Sequence, residues 1–226
     1  MTESNTQKTN ATKHTPAAEE PEEIVRCFDF DGTLTTRDTL IELIRFARGT
    51  WRLVLGFALY SPLLVLMKLH LYPNWKAKQK IFALYFRRMR IDTFNHVCQE
   101  FAQQRQWLLR PAGIELIREA LSRRERVLIV SASIDNWVSA FFTQTSLYGV
   151  QVLGTRVEVE NGLLTGRFET RNCYGKEKVR RIQTVLRQSR NHYHITAYGD
   201  SRGDREMLDA ADEAYLMKGG HHERVK

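Results

Sequence analysis

The spacing of apolar residues along the chain predicts short strands that alternate with helices. Five segments are short, rich in strand-forming residues and bounded by turn signals, which is typical of buried strands. They are residues 24–28, 126–130, 151–154, 194–198 and 214–217. Residues 156–168 alternate in polarity around Asn161-Gly162 and predict a β-hairpin. Pro111 opens a helix with apolar residues at helical spacing, and a second such helix begins close to Lys178.

The region between Asp38 and Arg110 contains no strand signal. Asp38 can cap a helix that carries Leu40, Leu43 and Ile44 on one face and ends at Gly49. Two further helices are predicted over residues 75–86 and 91–107. The simplest interpretation is a helical insert of about seventy residues, placed after the first strand.

Residues 53–67 are fifteen residues without a charge, interrupted by Gly56 and by Ser61-Pro62. A helix that crosses a membrane needs roughly 20 apolar residues, so this segment is short for a single crossing. Two interpretations remain open: a helix pair buried inside the insert, or a hairpin that dips into one face of a membrane.

Composition limits the other parts of the chain. The 226 residues suit one domain with an inserted subdomain. Residues 1–23 contain no Val, Ile, Leu, Phe, Tyr or Trp and are expected to be a disordered tail, and residues 219–226 are also expected to be a tail. The 3 cysteines are widely spaced and indicate neither a zinc site nor a disulfide framework, which suits a reducing, cytoplasmic setting.

Positive charge is concentrated in the insert. The chain carries a net charge of +8, but residues 41–90 alone hold ten Lys or Arg and one acid, Glu42. Basic side chains beside an apolar segment attract anionic lipid. The alternative is that these charges form the solvated face of the insert. No nucleic-acid recognition motif accompanies them, so no nucleic-acid partner is expected.

Two pairs of carboxylates follow predicted strands. Asp29 and Asp31 come directly after the first strand, and side chains two positions apart in an extended segment share a face. Asp200 and Asp204 follow the strand at 194–198. Like charges this close need a cation or a shared proton, and Mg²⁺ prefers such oxygen ligands. Taken alone, the first pair is equally consistent with an ordinary acidic turn.

The residues Asp29-Phe30-Asp31-Gly32-Thr33 resemble the first motif of the haloacid dehalogenase superfamily of phosphohydrolases. Three further motifs of that superfamily occur in order: Ser131 after a strand, a Lys at a helix start, and Asp200 with Asp204. For the Lys, the distance from Gly175 favours Lys178, with Lys176 as the alternative. The resemblance extends over residues 24–217.

The resemblance implies a doubly wound, Rossmann-like α/β core of residues 24–38 and 108–218, with a helical cap of residues 39–107. It implies that Asp29 is the nucleophile that becomes an aspartyl-phosphate and that Asp31 is the general acid and base. Mg²⁺ would be bound by Asp29, Asp31 (through its carbonyl), Asp200 and Asp204. Phosphoryl oxygens would be bound by Ser131, Lys178 and the backbone N–H groups of Phe30 and Ala132.

The cap is expected to choose the substrate, and two types of relative suggest different ones. In the similar phosphoserine phosphatases an acidic residue nine positions after the nucleophile binds the substrate amine; Asp38 stands there, one methylene shorter than their Glu. The apolar segment and the basic surplus instead resemble the phosphatidylglycerophosphatase C type. The sequence therefore favours a lipid phosphate and peripheral contact with the inner face of the cell membrane. The alternatives are a soluble small-molecule phosphatase and a non-catalytic basic binding protein.

Overall fold

The computed structural model describes residues 23–69, 71–143, 145, 147–218 and 220–226. All but the last residue of the N-terminal segment expected to be a tail therefore lies outside the described residues. The strands are β1 (Glu23–Phe28), β2 (Arg126–Ile134), β3 (Val150–Thr155), β4 (Val157–Glu160), β5 (Leu163–Phe168), β6 (Tyr193–Gly199), β7 (Glu213–Lys218) and β8 (His221–Arg224). The α-helices are α1 (Thr39–Arg48), α2 (Thr50–Leu59), α3 (Ser61–Lys68), α4 (Asn74–Phe86), α5 (Ile91–Gln104), α6 (Pro111–Ser122), α7 (Asp135–Thr143), α8 (Lys176–Val185) and α9 (Arg205–Ala210).

The main sheet has the order β3-β2-β1-β6-β7-β8, and all pairs are parallel except β7 with β8. Strand β2 shows how its two faces are covered: Val127 and Ile129 belong to one hydrophobic core, and Leu128 and Val130 belong to the other. The first core includes Ile117 of α6 and residues of α7, and the second includes residues of α8 and α9. Helices therefore cover both faces, and the prediction of a doubly wound α/β core is confirmed.

Helices α1 to α5 form the insert between β1 and β2, as the absence of strand signals predicted. Their core is aromatic: Phe94 packs edge-on against Phe82 and Phe86, with ring centroids 5.7 and 5.2 Å apart. The predicted hairpin β4–β5 packs onto this insert. Its Phe168 lies 6.1 Å from Phe82, and the Phe168 N–H donates to Gln79 Oε1 at 2.9 Å.

The uncharged segment 53–67 forms α2 and α3, which are bent by 66° relative to each other. Within the described part of α2 and α3 the buried residues are Leu53 and Gly56. A pair buried in the cap, one of the two interpretations, is therefore not what the structure shows. We call the exposed apolar residues the α2–α3 face; they are Trp51, Val54, Leu55, Leu59, Val65 and Leu66.

Among the described residues, no single helix has both the length and the apolar character required to cross a membrane. The pair α2 and α3 meets that requirement only when its two bent halves are counted together.

The C-terminal segment corrects the expectation of a tail. Residues His221–Arg224 form β8, which pairs antiparallel with β7 and covers that edge of the sheet. Gly220 has a positive φ of 90°, which a tight turn between the two strands requires. Lys218 and Glu223 form an ion pair at 3.0 Å, and His222 packs on Tyr198. Polar side chains gave no apolar alternation, so the pattern did not reveal this edge strand.

Candidate active site

The first motif forms a tight turn at the carboxyl end of β1. The N–H groups of Leu34 and Thr35 donate to the carbonyl of Phe30 at 2.9 and 3.0 Å, and this closes the turn. Gly32 has a φ of 86°, and a Cβ at this position would overlap the carboxylate of Asp200. A glycine is therefore required here both by the turn and by the close approach of the second acidic motif.

Three carboxylates meet at this edge of the sheet. Asp29, Asp200 and Asp204 each offer an oxygen, and these oxygens lie within 4.8 Å of one another. The all-oxygen donor set and its compact spacing fit a hard cation such as Mg²⁺. The Asp31 carboxylate is not part of this group and is turned towards the insert.

Lys178 lies inside the acidic cluster. Its ammonium group donates to Asp29 Oδ1 and to Asp204 Oδ1, both at 2.5 Å, and the side chain is 1% exposed. Burial alone would lower the pKa of Lys178, but the charges of Asp29 and Asp204 outweigh it and raise that pKa. Lys176 is exposed at the start of α8. The structure thus brings Lys178, and not the alternative Lys176, to Asp29.

The carboxylates respond differently to this environment. Burial raises the pKa of Asp29, although Lys178 acts in the opposite direction. Burial and the charge of Asp204 raise the pKa of Asp200 to about 6. Asp204 is itself buried, yet Lys178 and hydrogen bonds from Ser201 hold its pKa below the usual value. Such opposed shifts within one cleft are typical of functional sites.

The Asp31 carboxylate is held by residues that sequence reasoning did not single out. Its Oδ1 accepts from the N–H and the hydroxyl of Thr39 at 2.7 and 2.6 Å, and its Oδ2 accepts from the Ser133 hydroxyl. Trp137 Nε1 donates to the same Thr39 hydroxyl at 3.0 Å. Thr39 opens helix α1, so the first residue of the insert helps to orient Asp31. Only the sequence Ser131-Ala132-Ser133 gave a signal for one of these residues.

Ser131 and Ala132 lie in the last part of β2 and line the same cavity as Asp29 and Asp31. Ser131 is buried and lines the cavity, and its Oγ accepts from the Ser133 N–H at 3.0 Å. Ala132 also lines the cavity. Phe30, in contrast, points its ring into the core, where it packs against Phe141 at 5.5 Å, so only its backbone is placed to face a ligand.

Asp38 caps α1, as predicted, by accepting from the Ile41 N–H at 3.1 Å. Its carboxylate also lines the cavity. Desolvation and the neighbouring charge of Asp31 raise the pKa of Asp38, while the charge of Lys78 opposes that shift. The Asp38 carboxylate therefore caps α1 through the Ile41 N–H and also interacts with the charge of Lys78.

Lys78 was not singled out from the sequence, where it is one of the ten basic residues of the segment 41–90. It projects from α4, and its ammonium group donates to the carbonyl oxygen of Ala132 at 2.9 Å. Burial lowers the pKa of Lys78, whereas Asp31, Asp38 and Asp29 act to raise it.

These groups surround a cavity of about 280 Å³. Its polar lining includes Asp29, Asp31, Asp204, Ser131 and Lys178. On the side of the insert the lining is mainly apolar, with Lys78 and Asn74 among the apolar residues Leu40, Ile41, Phe57, Leu64, Met67, Ala77 and Ile81. The cavity thus joins a charged reaction centre to a hydrophobic wall built partly by α2 and α3.

Asp29 at the end of a parallel strand, the buried Lys178 and the acidic cluster lie in one cleft beside the helical insert. The chain belongs to the haloacid dehalogenase-like hydrolase family, whose model matches residues 27–209. Among curated proteins it is 30% identical over 197 residues to the protein CicA of Caulobacter vibrioides. The alignment covers 85% of each chain.

Solved structures share the fold at lower identity. A protein of unknown function from Bordetella pertussis Tohama I aligns with a TM-score of 0.74 at 16% identity, over 85% of this chain and 88% of that one. A substrate-bound phosphoserine phosphatase aligns with a TM-score of 0.61 at 19% identity, over 87% of each chain. At these identities the likenesses show the fold alone.

Proposed function

We propose that the protein is a Mg²⁺-dependent phosphomonoester hydrolase that acts through an aspartyl-phosphate. The observation that carries this proposal is the contact of the buried Lys178 with both Asp29 and Asp204, 2.5 Å from each. Such a cation lies where negative charge develops during phosphoryl transfer, which depends mainly on positioning and electrostatics. Membership of the haloacid dehalogenase-like hydrolase family supports a hydrolase of this kind.

In this proposal a carboxylate oxygen of Asp29 attacks phosphorus and the ester oxygen leaves. Asp31 donates its proton to that leaving oxygen, and later it accepts a proton from the water that attacks the aspartyl-phosphate. Ser131, Lys178 and the N–H groups of Phe30 and Ala132 bind the equatorial oxygens. Thr39 and Ser133 fix the Asp31 carboxyl group so that it reaches the leaving oxygen.

Asp29, Asp200 and Asp204 would bind Mg²⁺, together with the carbonyl of Asp31. When bound, the metal ion neutralises charge on the phosphoryl oxygens. Lys178 donates hydrogen bonds to Asp29 and Asp204. Among the described residues, Asp200 receives none from Lys178.

Asp200→Asn provides a test of the metal site that does not depend on activity. The pKa of Asp200 is about 6 in the folded protein, above its ordinary value of about 3.9. The folded state therefore holds this proton more tightly, and stability is lost as pH rises from about 4 to about 6. At pH 8 without metal, we expect the neutral Asn to raise the melting temperature.

With Mg²⁺ present, we expect the wild type to melt at a higher temperature than Asp200→Asn. At about 100 times its Kd, a metal ion that binds only the folded state stabilises it by about 2.7 kcal/mol, and Asp200→Asn should lose most of this gain. Asp209→Asn, which changes an exposed carboxylate on α9, is the matched control and should behave like the wild type. An equal response to Mg²⁺ in both variants would argue against Asp200 as a ligand. Thermal melts with EDTA or Mg²⁺ give the comparison.

For the substrate we propose a lipid phosphate, such as phosphatidylglycerophosphate. The support is the apolar wall of the cavity, to which Phe57, Leu64 and Met67 of α2 and α3 contribute. The same two helices carry the exposed α2–α3 face. Arg52 and Arg87 line a groove together with Leu55 and Leu59 of that face. A hydrophobic surface with adjacent cations suits an anionic leaflet.

The alternative is a soluble small-molecule phosphatase, in line with the fold that the chain shares with a phosphoserine phosphatase. A phosphatase panel with Mg²⁺ separates the two proposals: phosphatidylglycerophosphate, lysophosphatidate, O-phosphoserine and nucleotides are compared by kcat/KM. Preference for either lipid supports the lipid proposal. Preference for phosphoserine or a nucleotide would replace it while leaving the phosphatase chemistry intact.

Membrane contact predicts flotation with vesicles that contain phosphatidylglycerol. Each large apolar side chain buried in an interface contributes roughly 1.5–3 kcal/mol, so the double variant Trp51→Asp with Leu59→Asp should lower partitioning by at least about tenfold. Both residues are exposed, by 76% and 68%, and neither lines the cavity. Binding should also weaken with salt, because surface charges are screened over about 8 Å at physiological ionic strength.

The matched control is Tyr148→Asp, since Tyr148 is 85% exposed and belongs to the segment between α7 and β3, outside the insert. It should float like the wild type. The double variant should still hydrolyse p-nitrophenyl phosphate, which shows that its core is folded. Flotation that is absent in the wild type, or that is unchanged in the double variant, would contradict membrane contact through the α2–α3 face.

A further inference from the structure

Lys78 places a protein cation on the side of the cavity from which the substrate alcohol would leave. Among the described residues that line the cavity, the cations are Lys78 and Lys178. Lys178 lies with Asp29 and Asp204, where the phosphoryl group and metal ion would bind. Lys78 comes from the insert and interacts most strongly with Asp31 among the neighbouring charges. Asp31 is the residue that we assign to the leaving oxygen.

The Lys78 ammonium group has donors to spare. It carries three N–H groups, and among the described residues one of them is donated to a protein oxygen, the carbonyl of Ala132 at 2.9 Å. Lys78 lines the same cavity as Asp31 and Asp38. The side chain projects from α4 and its ammonium group is bound to Ala132 of β2, so it bridges the insert and the sheet.

The position of Lys78 argues against Asp38 as the binding group for a substrate amine. A carboxylate at that position would attract a substrate amine if no protein cation were near. Here Asp38 accepts the N–H of Ile41 as a helix cap, and the positive charge of Lys78 acts on it. A substrate ammonium group bound at Asp38 would lie within the field of Lys78, and like charges repel.

We propose that Lys78 forms a subsite for an anionic group on the leaving alcohol of the substrate. The site would then prefer phosphomonoesters whose alcohol carries a negative charge and would discriminate against those that carry an ammonium group. The inference rests on the proposed phosphatase function, but it is independent of whether the substrate is a lipid. It makes Lys78 a specificity-determining residue contributed by the insert.

Three two-carbon phosphomonoesters test the charge of the leaving alcohol while holding its size nearly constant. Phosphoglycolate has a carboxylate, ethyl phosphate is neutral, and phosphoethanolamine has an ammonium group. With the full chain and Mg²⁺, kcat/KM should fall in that order. A charge-assisted hydrogen bond is typically large enough to change an equilibrium by about 10- to 100-fold. Lys78→Met should therefore lower the ratio of kcat/KM for phosphoglycolate to kcat/KM for ethyl phosphate by about 30-fold, mainly through KM.

Two further variants make the result specific. Lys78→Arg keeps the charge and should retain the order of the three substrates. Lys80→Met is the matched control, because Lys80 is exposed on the same helix and faces the ring of Tyr72 at 5.7 Å. It should leave all three values unchanged. The three esters are also measured as inhibitors of p-nitrophenyl phosphate hydrolysis, so that slow turnover does not hide binding.

The outcomes separate this inference from the function on which it rests. An equal loss on all three esters in Lys78→Met would assign Lys78 to the transferring phosphoryl group and overturn the subsite. An unchanged order in Lys78→Met would also overturn it. A wild-type protein that hydrolyses neither these esters nor p-nitrophenyl phosphate would instead reject the phosphatase proposal, and the inference with it.

Discussion

Asp29→Asn should lower kcat by at least about four orders of magnitude, since removal of a catalytic nucleophile typically costs about this much or more. The amide has nearly the shape of the carboxylate but cannot attack phosphorus to form an acyl phosphate. Asp29 is 6% exposed and its Oδ1 accepts from Lys178, so the variant also removes one partner of that ammonium group. Hydrolysis of p-nitrophenyl phosphate with Mg²⁺ is the measurement.

The covalent intermediate provides the control for this prediction. Asp31→Asn keeps the nucleophile but weakens protonation of the leaving oxygen and activation of water. Rapid quenching followed by intact-mass analysis should detect a phosphoryl adduct in Asp31→Asn and none in Asp29→Asn. Near-normal turnover by Asp29→Asn would reject the aspartyl-phosphate mechanism, whatever the substrate.

Lys178→Ala should lower kcat by about 100- to 1000-fold, which is the usual cost of losing one preorganised charge-stabilising donor. The residue is fully buried between two carboxylates, and removing one partner of a buried ion pair is itself destabilising, by about 3–5 kcal/mol. Melting curves with Mg²⁺ are therefore needed beside the kinetics. Lys178→Arg, which keeps the charge, should recover part of the stability but less of the rate, because a guanidinium group is larger.

Lys176→Ala is the matched comparison, two positions earlier on the same helix. Lys176 is exposed, so its loss should change kcat and the melting temperature little. A large kinetic effect in Lys176→Ala with a mild one in Lys178→Ala would mean that the wrong lysine has been placed beside Asp29.

The fold and the outline of the site were accessible from sequence because they depend on local patterns. Short apolar runs located the parallel strands, and acidic residues directly after β1 and β6 were expected to meet because parallel strands end at one edge of the sheet. The sequence favoured Lys178, with Lys176 as the alternative. In the structure Lys178 is buried and contacts Asp29, whereas Lys176 is exposed.

The remaining site residues depend on tertiary placement, which spacing along the chain does not encode. Lys78 is 54 residues from Ala132, and Thr39 is 98 residues from Trp137. In a sequence, a Lys in a basic helix and a Thr at a helix start are most simply interpreted as solvent-exposed side chains. The strand β8 was missed for a similar reason: its polar residues pair with β7 through backbone hydrogen bonds, which do not require apolar side chains.

The hairpin β4–β5 has a consequence for how the cavity admits and releases molecules. It belongs to the chain after β3, yet the Arg88 N–H donates to Leu164 O at 2.8 Å and the Ile91 N–H donates to Gly162 O at 2.9 Å. Gly166, with no side chain, lies directly against Ala83 of α4. Any outward swing of α4 with Lys78 must carry the hairpin along or break these bonds. The insert and the hairpin are therefore joined by backbone hydrogen bonds, and the chain after Phe168 leads directly to the cavity residues Asn172 and Tyr174.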